Sequence, residues 1–172
     1  MPTVLSVTVG DIATLAVDAV VNAAAPGLGG GTGVSRAIHT AAGPALFEAA
    51  QALDSLGRGH AAATPGFDLP ARWVIHTIGP IWVGGRIGEE ETLANCYRRS
   101  LEVARELGAR TVAFPAIATG AYRFPKDRAA EIAVATVMEA VHAAPDAFGE
   151  IVFCFRTEEN AAFLRAALGV DG

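Results

Sequence analysis

Asn22, Ser35 and His39 flank a run in which five of the seven residues from 27 to 33 are glycine. An amide, a hydroxyl and an imidazole can orient a substrate or a water. The glycines between them offer something different. Val17, Ala19, Val20 and Val21 lead into the run as an apolar strand, and Val34, Ala37, Ile38 and Ala41 leave it at helical spacing. A strand, a glycine-rich loop and a helix start present free backbone N–H groups and the positive end of a helix dipole to the same point. A phosphate or diphosphate is the natural occupant. Two common phosphate loops are excluded by spacing. Gly33 is followed by Val34 and Ser35 with no lysine, so there is no Walker A motif. Neither Gly27, Gly29 and Thr32 nor Gly31, Gly33 and Arg36 completes the dinucleotide fingerprint.

A second loop has the same character. It reads Phe-Pro-Ala-Ile-Ala-Thr-Gly-Ala-Tyr-Arg-Phe-Pro over residues 114–125 and leaves the end of an apolar strand. Ala118, Thr119, Gly120 and Ala121 permit close backbone approach, and Tyr122 adds a flat ring and a hydroxyl. Two such loops at the C-terminal ends of neighbouring strands make a cleft where open α/β sheets bind ligands.

The elements that must position these loops follow from pattern. Strands are expected over 3–9, 17–22, 61–64, 72–78, 111–114 and 150–155, and helices over 34–42, 45–56, 92–107, 127–141 and after Thr157. Gly43-Pro44 separates the first two helices, Gly108 suits a left-handed C-terminal cap, and Thr157 an N-cap. Phe163, Leu164, Ala167 and Leu168 are assigned to the buried face of the closing helix. Strands alternating with helices predict a sheet covered on both faces. The first two strands are too close for a helical crossover, which predicts a mixed sheet.

Composition bounds the function. The chain has 172 residues, 52% of them apolar and 18% charged, which fits one compact domain over 1–172. A net charge of −5 argues against broad binding of a polyanion but not against one small anion held by backbone amides. The two cysteines, Cys96 and Cys154, lie in apolar patterns and read as buried thiols, and no cluster has zinc spacing. No metal or cofactor is expected. Without a leader or a long apolar run, a cytoplasmic protein with no membrane partner is expected, and as a monomer.

Six pieces in order resemble the macrodomain family, closest to its ADP-ribosyl-hydrolase branch: Gly10-Asp11-Ile12, Val21-Asn22-Ala23-Ala24, the glycine loop, Ala37-Ile38-His39, Val74-Ile75-His76-Thr77, and Phe114-Pro115 with Thr119-Gly120. The resemblance covers nearly the whole chain. It implies a three-layer α/β/α fold with a mixed central sheet that binds ADP-ribose, free or on a modified protein, with nucleic acid as a further acceptor. Asp11 and the Ile12 N–H would take the adenine, and Phe155 would pack on it. Asp11 has a second reading as a turn cap, and Phe155 as a core residue. Gly30, Gly31, Thr32, Gly33 and Val34, with Ala118, Thr119, Gly120 and Ala121, would grip the diphosphate. Tyr122 would border the distal ribose, and Asn22 would be a further ligand-binding residue.

Two departures bear on chemistry. The hydrolase branch reads N-A-A-N where this chain has Ala25, and carries an aspartate where this chain has Ser35. Neither residue supplies a carboxylate base. Asn22, Thr32, Ser35 and Tyr122 remain as groups that would assist attack of water at the anomeric carbon, with the ligand's diphosphate holding that water. His39 is either a base or a packed helical histidine. The sequence therefore points to a hydrolase of ADP-ribosyl linkages, with a non-catalytic ADP-ribose reader and an O-acetyl-ADP-ribose deacetylase as the alternatives.

Overall fold

The computed structural model describes residues 2–53 and 55–170. Six strands, β1 (Val4–Val9), β2 (Ala19–Ala24), β3 (Ala61–Pro65), β4 (Trp73–Ile78), β5 (Thr111–Phe114) and β6 (Glu150–Phe155), form one sheet in the order β1-β6-β5-β2-β4-β3. Five helices accompany them: α1 (Gly33–Ala42), α2 (Pro44–Gln51), α3 (Glu89–Glu106), α4 (Lys126–Ala143) and α5 (Glu158–Leu168). Alternation along the strands sorts the layers. Val20, Val74, Ala113 and Cys154 pack with Ile38 and Leu46 of α1 and α2. Val21, Ile75, Val112, Phe114, Ile151 and Phe153 pack with Leu93, Val137 and Leu164 of the other three helices.

The sheet is mixed, as expected, but for a different reason. β1, β6, β5, β2 and β4 are all parallel, and only the edge strand β3 runs antiparallel, beside β4. β1 and β2 are not neighbours. The nine residues between them span about 30 Å when extended, enough to return along the sheet without a long helix. A 3-10 turn at Ile12–Thr14 uses part of that length.

Three further expectations are corrected. α2 stops at Gln51, with residues 52 and 53 in a turn and bend; the expected continuation through residue 54 lies outside the described residues. α3 begins three residues before the expected Thr92. Its first turn is Glu89-Glu90-Glu91, which has no apolar period to reveal it but suits a helix N-terminus. Phe163 is 36% exposed, so the buried face of α5 is carried by Ala161 and Leu164. Gly108 is left-handed at φ +74°, and the Thr157 hydroxyl accepts from the Asn160 N–H at 3.2 Å, as their types predict. Both cysteines are buried free thiols, and among the described residues no helix is long and apolar enough to cross a membrane.

Candidate functional site

The two loops leave the C-terminal ends of adjacent central strands. β2 pairs with β5 through Val20 and Ala113, and both strands point the same way. The glycine loop then turns through left-handed Leu28 (φ +54°), Gly30 (φ +69°) and Gly33 (φ +56°) into α1. The side chain of Gln51 donates from α2 to the Gly27 carbonyl at 2.8 Å and pins the start of the loop. From residue 29 to residue 35 the backbone N–H groups have no acceptor among the described residues. Thr32 occupies the N-cap of α1, yet its hydroxyl caps nothing. A helix start left this open has the free donors that an anion can satisfy.

The β5 loop is shaped from within. Ala118 is left-handed at φ +67° and buried, and its carbonyl accepts from the Phe124 N–H at 2.9 Å. The Gly120 carbonyl accepts from the Arg123 N–H at 3.0 Å. The N–H groups of residues 119–122 have no acceptor among the described residues. Small side chains at 118, 120 and 121 leave this second row of donors accessible.

Tyr122 is held rather than free. Its carbonyl accepts from the Trp82 N–H at 2.8 Å, and the Arg58 guanidinium lies 5.0 Å from its ring centroid while donating to the Gly79 carbonyl at 2.7 Å. One face of the ring is therefore covered by Arg58, and the residue also packs against the core. The loop that carries Trp82 is fixed by Glu89. Its carboxylate accepts from the N–H groups of Val83, Gly85 and Ile87 at 3.1, 2.6 and 2.7 Å. Burial pushes this carboxyl up, but these three amides and the N–H of Glu89 itself outweigh burial and hold it below its ordinary value.

Asp11 follows the end of β1. It caps the 3-10 turn, accepting from the Ala13 N–H at 2.9 Å through Oδ1, while the residue stays exposed. The capping reading of Asp11 thus holds, and the second carboxylate oxygen is left for another donor. Ile12 is buried. The Gly10 N–H donates to the Phe155 carbonyl at 2.8 Å, which puts Asp11 and Phe155 at the same end of the sheet. Phe155 is half-buried beside a shallow apolar recess that also involves Thr119, Lys126 and Asn160. Asn160, in the first turn of α5 behind the Thr157 cap, lines this recess and was not singled out by the sequence.

Beneath the glycine loop lies a buried polar cluster. The Asn22 amide nitrogen is 3.1 Å from His76 Nδ1, and His76 Nε2 is 3.0 Å from Thr64 Oγ1. All three residues are buried. The His39 ring lies 6.5 Å from that of His76, tilted, directly below Gly30. Four buried side-chain polar atoms have no partner among the described residues, and three are here: Asn22 Oδ1, Ser35 Oγ and His39 Nε2. Ser35 and His39 are four residues apart on α1 and so share a face.

Burial pushes both histidines down, and for His76 the neighbouring His39 adds to it, bringing His76 to about 4. Both rings are therefore neutral at pH 7. A histidine with a lowered folded-state pKa has its full stabilising effect above the unfolded value of 6.5, and that effect is lost as pH falls toward 4. The slope is about 1.4 kcal/mol per pH unit, or roughly 3 kcal/mol across the window. Urea unfolding at pH 7, 5.5 and 4 should show a loss that is larger in the wild type than in His76→Asn, which keeps only the part due to His39 and the carboxylates. Equal pH dependence in the two proteins would refute it.

Comparisons with known proteins agree with this geometry. Residues 21–133 match the Macro domain family model. A macro domain-containing protein of Ralstonia nicotianae is 54% identical over 158 residues, 92% of this chain and 90% of its own. A Klebsiella pneumoniae protein named O-acetyl-ADP-ribose deacetylase is 50% identical over 166 residues, 94% of each chain. Among solved structures, a mutant Oceanobacillus iheyensis macrodomain with ADPR superposes with a TM-score of 0.91 at 38% identity, covering 96% of this chain and 91% of that one. A six-stranded mixed sheet between helical layers, with two amide-rich loops over its centre, defines an α/β/α macrodomain. This chain belongs to the Macro domain family.

Proposed function

We propose that this protein binds ADP-ribose and hydrolyses ADP-ribosyl linkages on modified proteins. The observation that carries the reading is the pair of N–H rows, residues 29–35 and 119–122, which follow adjacent parallel strands and have no acceptor among the described residues. Diphosphate oxygens satisfy such donors, and the positive end of α1 favours their charge. Asp11 retains a free carboxylate oxygen for the adenine amine, with the Ile12 N–H alongside and Phe155 at the same end of the sheet. Gly30, Gly31, Thr32, Gly33 and Val34 line one side of the diphosphate, and Ala118, Thr119, Gly120 and Ala121 the other. Tyr122 borders the distal ribose, and Asn22 lies in the buried cluster beneath the glycine loop. The solved relative with ADPR and the relatives named O-acetyl-ADP-ribose deacetylase support this ligand class.

Hydrolysis needs water at the anomeric carbon. A new C–O bond forms to that water, the bond to the acceptor breaks, and one proton of the water ends on the departing group. Ala25 and Ser35 provide no base, so the bound diphosphate holds and polarises the water. Thr32 Oγ1 and Ser35 Oγ supply hydroxyls that orient it.

Calorimetry with ADP-ribose should show saturable binding that weakens about tenfold in Asp11→Ala, the size of one lost charge-assisted hydrogen bond. Incubation with an ADP-ribosylated protein should release free ADP-ribose above the buffer rate. Tight binding with no release identifies a reader instead. Release from O-acetyl-ADP-ribose alone, seen as free acetate, identifies a deacetylase, the reading the Klebsiella names favour.

A further inference from the structure

The geometry points to the loop over residues 79–88 as a landing surface for the polypeptide that carries the ADP-ribose, one whose side chains beside the modified residue are apolar and acidic. This rests on the ADP-ribose reading above. Strand order sets the direction of the ligand. β1, β6, β5, β2 and β4 are parallel and neighbour one another in that order, so the segments that follow them stand side by side at one end of the sheet. Asp11 follows β1, and Phe155 ends β6. The donor rows over 119–122 and 29–35 follow β5 and β2. An ADP-ribose with its adenine at the first pair and its diphosphate at the second directs its distal ribose toward β4. The segment that follows β4 is residues 79–88, and whatever is attached to the distal ribose emerges beside it.

The loop abuts the second donor row. The Trp82 N–H donates to the Tyr122 carbonyl at 2.8 Å, and the Trp82 ring packs 4.7 Å from that of Phe124. Arg58 spans both segments, over the Tyr122 ring and on the Gly79 carbonyl. The same loop leaves apolar surface in water: Ile81, Val83 and Ile87 are 47, 49 and 75% exposed. It is nevertheless fixed, because the Glu89 carboxylate accepts from the N–H groups of Val83, Gly85 and Ile87. Apolar area on an ordered loop is removed from water by a partner at little cost in further ordering. The nearby cations choose the partner. Arg86 in the loop and Arg123 beside Tyr122 are exposed, and neither has a carboxylate partner among the described residues, in a chain whose net charge is −5. An acidic side chain of the acceptor supplies that partner. A nucleic acid would meet the arginines but brings no aliphatic side chain to Ile81, Val83 and Ile87, so the surface favours a polypeptide.

The test uses two peptides that carry ADP-ribose through a linkage water does not cleave, one with glutamate and leucine flanking the modified residue and one with lysine and serine. Calorimetry on the wild type should show the Glu/Leu peptide binding about tenfold more tightly than free ADP-ribose, and the Lys/Ser peptide within about threefold of it. The double variant Ile81→Ser, Ile87→Ser changes exposed side chains and keeps the N–H that Ile87 donates to Glu89, so the loop stays in place. It should bring the Glu/Leu peptide to within about threefold of free ADP-ribose, whose own affinity should change by less than about twofold. Arg86→Glu should weaken the Glu/Leu peptide about fivefold and strengthen the Lys/Ser peptide. Equal wild-type affinity for both peptides and free ADP-ribose overturns the proposal. So does a double variant that keeps the tenfold gain, or one that loses free ADP-ribose to the same degree. Tighter binding of an ADP-ribosylated RNA oligonucleotide than of the Glu/Leu peptide overturns it in favour of a nucleic acid acceptor. A dimer in sedimentation that the double variant abolishes overturns it in favour of a second copy of the chain. A wild-type protein that binds neither free nor peptide-borne ADP-ribose defeats the functional reading itself.

Discussion

Gly30→Val is expected to reduce ADP-ribose affinity by more than a hundredfold. A Cβ on Gly30 would sit 2.6 Å from His39 Cγ and 2.7 Å from Cδ2. The atoms met belong to the imidazole ring itself and not to the far end of a flexible side chain, so the whole ring must shift. Residue 30 also holds φ +69°, a conformation costing roughly 1–2 kcal/mol for a side chain with a Cβ and more for a branched one. Loop and ring cannot both stay, so the N–H row from 29 to 35 loses its common direction. Gly31 is the control: its φ is ordinary and an added Cβ meets nothing within 4 Å. Gly31→Ala should bind ADP-ribose within about threefold of wild type, since nothing is displaced. Calorimetry on both variants decides the matter, and Gly30→Val binding as tightly as Gly31→Ala would show that His39 is not the floor of the loop.

The double variant Ala25→Asn, Ser35→Asp is expected to accelerate release of ADP-ribose from a modified protein at least tenfold. A positioned general base contributes typically 10²–10⁴ in rate, and the wild-type cleft has none at these positions. Residue 35 is the third residue of α1 and is buried, with its hydroxyl unpaired. A carboxylate there gains from the helix dipole, and unpaired amides surround it. It also lies beside the site assigned to the diphosphate, and the two anions repel. Faster chemistry should therefore come with weaker binding of ADP-ribose, by several-fold, and with stronger dependence on salt. Single-turnover release and calorimetry measure the two effects separately. An unchanged single-turnover rate would mean that water activation does not limit this protein.

Much of the fold was legible because the apolar period changes cleanly from strand to helix. β5 and β6 fall on their expected residues, and the buried face of α3 is the one its spacing defines. The glycine loop was legible as a nest from composition alone. Contacts made across the sheet were not. Nothing local to Thr64 announces that it meets His76, because strand order and register bring them together. Arg58 over Tyr122 joins residues far apart in sequence for the same reason. The left-handed turn at Ala118 was hidden, since alanine gives no sign of the φ that glycine advertises. The first turn of α3 was hidden because Glu89 spends its carboxylate on the preceding loop rather than on a pattern within the helix.

The donors that face the cleft belong to the main chain, and this bears on how such a protein can change over generations. Substitutions alter side chains, while a row of peptide N–H groups persists under almost any of them that preserves the turn. Recognition of an anionic ligand is thereby buffered against mutation. The groups that would act on the bound ligand have no such protection: one nucleotide change can exchange an amide or a carboxylate for a methyl or a hydroxyl and leave the backbone undisturbed. Capture and turnover can consequently drift apart within one scaffold. Ala25 and Ser35, set at the ends of an open loop, are where a lineage can lose or regain a reaction without surrendering its grip.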